Sequence, residues 1–178
     1  MPRLFTALEI PADLGLRLSM LRGGLPGAVW ISPEFYHITL RFIGDIDDRR
    51  ADDVADELAR IHRRGFEVSI RGVDSFGNGK PHSVFAAVQP SKALTDLQAE
   101  QERMMQRLGL DPEGRRYTPH VTIARCKGAS GIEVARWLDS RGDFPGGSFR
   151  PARFVLYSSK SSTGGGPYVV EDAYPFDP

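Results

Sequence analysis

His37-Ile38-Thr39-Leu40 and His120-Val121-Thr122-Ile123 decide how this chain folds, because they write one short pattern twice, in two separate apolar runs. Along an extended backbone successive side chains alternate faces. His37 and Thr39 therefore point one way while Ile38 and Leu40 point the other, and His120 with Thr122 repeats this against Val121 and Ile123. An imidazole and a hydroxyl on one face of a fully buried strand would both lack partners once water is removed. A polar cleft shared by the two strands supplies them.

Working outward, residues 4–10 read as a strand stopped by Pro11, and 12–21 as a helix with Leu14, Leu18 and Leu21 on one stripe. The first histidine strand covers 36–43 and closes at Gly44-Asp45. Asp47 or Asp48 caps a helix carrying Val54, Leu58 and Ile61 at helical spacing, and Gly65 stops it. Phe66, Val68 and Ile70 alternate with Glu67 and Ser69 as in a strand with one wet face. A loop at 77–81 leads to an apolar strand at 83–88, and 92–108 is the longest helical segment. A charged loop at 111–116 precedes the second histidine strand, 121–124. After it come a short helix at 132–138, a strand at 149–157, a polar loop at 158–166 carrying Lys160, and a closing strand at 168–174.

Strands and helices thus alternate in two successive sets, while the adjacent strands 66–70 and 83–88 point to antiparallel pairing. The pattern predicts an α+β protein, 1–178 forming a single domain of two packed lobes. An approximate two-fold between the lobes would bring His37 and His120 to one central groove.

Bulk properties narrow the function. Lys plus Arg and Asp plus Glu both number 23, so the net charge is zero and a protein that coats nucleic acid through its overall field is disfavoured; a local basic cleft is not. Cys126 is the only cysteine, which excludes an intrachain disulfide and an intrachain thiolate metal cluster and fits a reducing cytoplasm. No segment reads as a signal peptide or membrane span. The expected protein is cytoplasmic, with no membrane association and no obligate protein partner, and monomeric.

Two imidazoles facing one substrate suit a reaction that needs one proton removed and another delivered, since histidine titrates near neutrality. Hydrolysis of a strained cyclic phosphodiester has these requirements: one ring activates water and the other protonates the departing oxygen. Thr39 and Thr122 can donate to the non-bridging phosphoryl oxygens. Arg41 shares the His37 face by simple alternation and is the first basic candidate for groove contact. Arg125 is one step out of phase with His120 and reaches the groove only if the strand ends or bulges near Ala124.

Further matches accompany the motifs: Arg3-Leu4-Phe5-Thr6-Ala7-Leu8, Trp30 to Pro33, HITLRFIG from His37 to Gly44, TPHVTIAR from Thr118 to Arg125, and the closing Phe154-Val155-Leu156-Tyr157-Ser158 with Tyr168. Nearly the whole chain resembles the 2H phosphoesterase superfamily with its paired His-x-Thr-x motifs, and within it the bacterial and archaeal RNA 2',3'-cyclic phosphodiesterases, historically called 2'-5' RNA ligases. The resemblance implies the bilobal LigT-like fold, with two pseudo-symmetric antiparallel sheets around a central cleft and helices outside. It implies opening of an RNA-terminal 2',3'-cyclic phosphate to a 2'-phosphate, with no metal and no cofactor, on RNA ends or oligonucleotides so terminated, and a weak reverse 2'-5' ligation. His37 and His120 would be catalytic, and Thr39, Thr122 and Arg125 would bind phosphate. Phe42 corresponds to a family aromatic near the nucleotide and would be substrate-binding; Arg41 would be substrate-binding by its place on the His37 face. Ile43, where leucine is common, and Cys126 depart from the pattern without touching the proton transfers.

Plainer roles compete for several residues. Phe42 alternates with Ile38 and Leu40 and could belong to the core, while Arg41, Arg115, Arg116 and Lys160 could be solvated charges. His62 and His82 lack the threonine pattern and read as structural or exposed, and Phe5, Trp30 and Trp137 as core. Among functions, a 2H enzyme for a small nucleotide-derived cyclic phosphate and a non-catalytic RNA-binding module stay open. A metal hydrolase is disfavoured because no His-Glu-x-x-His sequence is present. Which histidine is acid and which base is undecided.

Overall fold

The computed structural model describes residues 3–77, 79–159 and 166–178. Two antiparallel sheets carry the site. In chain order the elements are β1 (Arg3–Glu9), α1 (Ala12–Ser19), β2 (Ala28–Trp30), a 3-10 turn at Pro33–Phe35, β3 (His37–Asp45), α2 (Asp48–Leu58), β4 (Val68–Phe76), β5 (Ser83–Val88), α3 (Lys92–Arg107), β6 (His120–Cys126), α4 (Gly131–Ser140), β7 (Gly147–Phe149), β8 (Arg153–Ser159) and β9 (Tyr168–Pro175). The first sheet runs β3-β1-β8-β9 and the second β2-β6-β5-β4-β7. Apart from the added edge strand β2, the orders correspond position by position: β3 to β6, β1 to β5, β8 to β4 and β9 to β7. The expected relation between two lobes, each with a histidine strand, is present in the topology.

Local chemistry starts and stops the helices. The Asp47 carboxylate accepts from the Arg50 amide at 2.8 Å and caps α2, an interaction worth about 1 kcal/mol. Ser130 and Glu133 form a reciprocal capping box on α4. The helices then cross between sheets. α1 follows β1, yet its Arg17 donates to the Gly146 carbonyl beside β7 at 3.2 Å. α3 follows β5, yet its Gln101 and Glu102 bond Thr6 and Arg41 of the first sheet. Each sheet is covered by a helix whose preceding strand lies in the other, and the largest buried cluster includes residues of both sheets.

Three departures from the sequence reading have visible causes. β4 continues through Phe76, because its register shifts between Ile70 and Val73 and Gly72 takes φ +73°, which breaks the two-residue period. Residues 149–157 divide at Pro151 into β7 and β8, which belong to different sheets. The three-residue β2 was too short to register as a pattern.

Candidate active site

A bulge in each histidine strand determines which side chains reach the cleft. On β3, Ala7 pairs with Thr39 and Thr6 with Arg41, leaving Leu40 as an extra residue. On β6, Phe85 pairs with Thr122 and Val84 with Ala124, leaving Ile123 as the extra residue. Each bulge falls one position beyond the threonine and reverses the alternation after it. Phe42, opposite Phe5, therefore shares the face of His37 and Thr39, and Arg125, opposite Ser83, shares the face of His120 and Thr122. Phe42 is 46% exposed there.

The same reversal corrects the reading of Arg41. Simple alternation put it in the groove; the bulge turns it to the covered face, where it is 6% exposed. Its Nε pairs with Glu102, and its Nη atoms donate to the carbonyls of Phe42 and, at 2.6 Å, Asp111. That guanidinium is committed to α3 and its following loop. The Thr6 hydroxyl, which donates to Gln101 Oε1 at 2.5 Å and accepts from the Arg41 amide at 3.0 Å, ties the bulge to the same helix.

The two imidazoles are held alike. His37 Nδ1 lies 2.8 Å from the carbonyl of Phe35, and His120 Nδ1 lies 2.7 Å from the carbonyl of Thr118, each two residues upstream. A carbonyl can only accept, so both rings carry hydrogen on Nδ1 and, when neutral, present an Nε2 lone pair. In that tautomer the Thr39 hydroxyl, 3.1 Å away, donates to His37 Nε2.

Aromatic rings surround both. Phe5, Tyr168 and Tyr157 lie 5.1, 5.2 and 6.0 Å from His37 by ring centroid, and Phe76 and Phe85 lie 4.7 and 5.1 Å from His120. Desolvation by this shell lowers both proton affinities. His37 falls from 6.5 to about 4, by desolvation first and then by the charge of His120, against the opposing bond to Phe35. His120 is lowered by desolvation, with the Thr118 carbonyl opposing. The charge of His120 is thus felt at His37. Arg125 lies within electrostatic reach of Tyr168, whose phenol is raised chiefly by burial.

These aromatics were the part of the site missed in the sequence. Phe5, expected in the main core, belongs to a separate cluster with Ala7, Val155 and Tyr157. Their signal was the β1 and β8 alternation, which becomes a cleft face only once β1 is paired with β3. Trp30 does pack against the main core and Trp137 is buried in it. His62 and His82 are exposed. Arg115 and Arg116 are exposed in the loop before β6, and Lys160 lies outside the described residues. Among the described residues, no three His, Cys, Asp or Glu side chains group as a metal site requires, and no helix is long and apolar enough to cross a membrane.

Two antiparallel sheets, each contributing a His-x-Thr strand to one cleft, make this a 2H phosphoesterase fold. A profile of the 2'-5' RNA ligase superfamily matches residues 28–163, and the chain belongs to that family. It is 33% identical over 147 residues to the RNA 2',3'-cyclic phosphodiesterase of Aeropyrum pernix, covering 81% of this chain and 83% of the relative. It is 29% identical over 181 residues to the protein of the same name from Methanothermobacter thermautotrophicus, covering 97% of each. Escherichia coli LigT complexed with 3'-AMP shares the fold at a TM-score of 0.79 over 99% of both chains, with 21% identity. TT0787 of Thermus thermophilus does so at 0.77, also with 21% identity, over 97% of both.

Proposed function

We propose that the chain hydrolyses the 2',3'-cyclic phosphate at an RNA end to a 2'-phosphate by acid-base catalysis between His37 and His120. The observation that carries the proposal is the matched pair of imidazoles, each locked by Nδ1 on a backbone carbonyl, with His37 feeling the charge of His120. The names of the relatives support the substrate.

One Nε2 takes a proton from water as its oxygen attacks phosphorus. The other Nε2 gives a proton to O3' as the P–O3' bond breaks, leaving the phosphate on O2'. His37 is assigned the base, since its deeper desolvation favours the neutral ring, and His120 the acid. The phosphodiester's negative charge raises the proton affinity of the nearby ring, which readies His120 on binding. Thr122 and Arg125 donate to the non-bridging oxygens, Thr39 joins them as its hydroxyl turns from His37 Nε2 and frees that lone pair for water, and Phe42 sits where a base can stack. With the 5'-hydroxyl of a second RNA end in place of water, its oxygen bonds to phosphorus as the P–O3' bond breaks and O3' takes the proton, which leaves a 2'-5' linkage, the weak ligation. In this reading the enzyme acts in the cytoplasm on RNA ends, without a metal or a protein partner, as a single domain and a monomer.

The test compares turnover of a short RNA ending in 2',3'-cyclic phosphate with that of mononucleoside 2',3'-cyclic phosphates, after exhaustive chelation. H37A and H120A should each lose about 100- to 10,000-fold. A substrate whose O3' is replaced by sulfur, which leaves without protonation, should restore H120A and not H37A. Preference for mononucleotides would move the substrate to a small metabolite. Wild-type RNA binding without turnover would leave only a binding module.

A further inference from the structure

Tyr117 joins the two motifs directly. Its phenol donates to the main-chain oxygen of Thr39 at 2.8 Å, across 78 positions of sequence. β3 is an edge strand, so carbonyls on its open side have no neighbouring strand to satisfy them. A side chain from the segment leading into β6 supplies this one. The phenol is pushed above the ordinary tyrosine range by burial, so it stays protonated and remains a donor across neutral pH.

The residues that follow carry the anchor onward. The Thr118 carbonyl accepts from His120 Nδ1 at 2.7 Å, and the Pro119 carbonyl accepts from the Val88 amide at 3.2 Å. At the other end, Thr39 holds His37 Nε2 through its own hydroxyl at 3.1 Å. A short, stiff path thus runs from the ring of His37 through Thr39, Tyr117 and Thr118 to the ring of His120.

We propose that Tyr117 is a positioning residue whose phenol, hydrogen-bonded to the backbone of the first motif, sets the separation of the two imidazoles. Hydrolysis in line at one phosphorus needs the base and the acid on opposite sides of it, and an error of about 1 Å in such a pair lowers turnover roughly 100-fold. A bond that fixes the spacing acts on the transition state more than on substrate capture, so its loss belongs in kcat. The inference rests on the phosphodiesterase reading above, but the spacing can also be followed without substrate. The titratable groups around His37 are His120, Tyr157 and Tyr168; its cross-strand partner Glu9 is engaged by Arg153 at 2.8 Å, and Arg125 acts electrostatically on Tyr168.

Y117F removes the donor and keeps the ring. Its kcat on cyclic-ended RNA should fall roughly 10- to 100-fold with KM within about twofold. Nitrogen-15 NMR titration of the two imidazoles should show His37 rising from about 4 toward 6.5 as the lobes part and the cleft admits water. A kcat within twofold of the parent, a loss carried by KM, or an unmoved His37 titration would each overturn the proposal, whatever the melting temperature does. If the parent itself fails to turn over cyclic-ended RNA, the functional reading falls, and the titration alone then decides whether Tyr117 sets the spacing.

Discussion

Asparagine in place of His37 should give a protein that loses less stability than its parent as the pH falls from about 7 to about 4. In the folded protein the ring is drawn from 6.5 down to about 4, by desolvation among Phe5, Tyr157 and Tyr168 and then by the charge of His120. The unfolded chain takes up this proton near 6.5, and the folded protein only near 4. Between those values the unfolded state binds more protons, so stability falls as the pH falls. His37's contribution is fully present above the unfolded value and is lost as the pH drops through the folded one. At about 1.36 kcal/mol per tenfold in proton affinity, the passage removes roughly 3 kcal/mol, a large share of the 5–15 kcal/mol typical of a domain. Urea unfolding of parent and H37N at both pH values isolates the effect, because the carboxylates and His120 are common to the two proteins. The parent should lose about 3 kcal/mol more than the variant. Equal losses would mean that the His37 ring is hydrated in the folded state, and the desolvated cleft on which the assignment of base and acid rests would be wrong.

Other outcomes follow from the same geometry. R41L should destabilise the fold by about 1–3 kcal/mol, because it strips the guanidinium from the Glu102 carboxylate, which keeps its bonds from the Gln106 amide and the Glu113 N–H, and takes the Arg41 donors from the Phe42 and Asp111 carbonyls; a raised KM with an unchanged denaturation midpoint would return Arg41 to the groove. R125A should lower kcat/KM about 10- to 100-fold, the range for one or two bonds to a charged phosphoryl oxygen, and steady-state kinetics showing a change under twofold would remove Arg125 from the site. The pH optimum of kcat/KM should lie below the ordinary histidine value, since both rings are lowered in the free protein. The optimum of kcat should lie higher, because bound phosphate raises the acid; coincident optima would contradict that role for the substrate's charge.

The two His-x-Thr units, their strands and the helices between them were legible in the sequence because each rests on short-range information: a two-residue or 3.6-residue period, a capping carboxylate at Asp47, a stop at Pro11. The pairing of two lobes was legible because the pattern is written twice. Beyond each threonine that kind of reading ends. A bulge adds a residue to one strand only in relation to its neighbour, so periodicity within β3 or β6 cannot reveal that Leu40 and Ile123 are extra. Yet those two residues send Arg41 to α3 and bring Phe42 and Arg125 to the cleft. Nor can local pattern show that α3 crosses to the first sheet, that Phe5 and Tyr168 enclose His37, or that Tyr117 reaches Thr39. The chain's own order determined which residues are proposed to carry the chemistry. Long-range pairing of strands decided which of them face the cleft and how far their protons are from water, because register and desolvation belong to pairs of segments and not to either one.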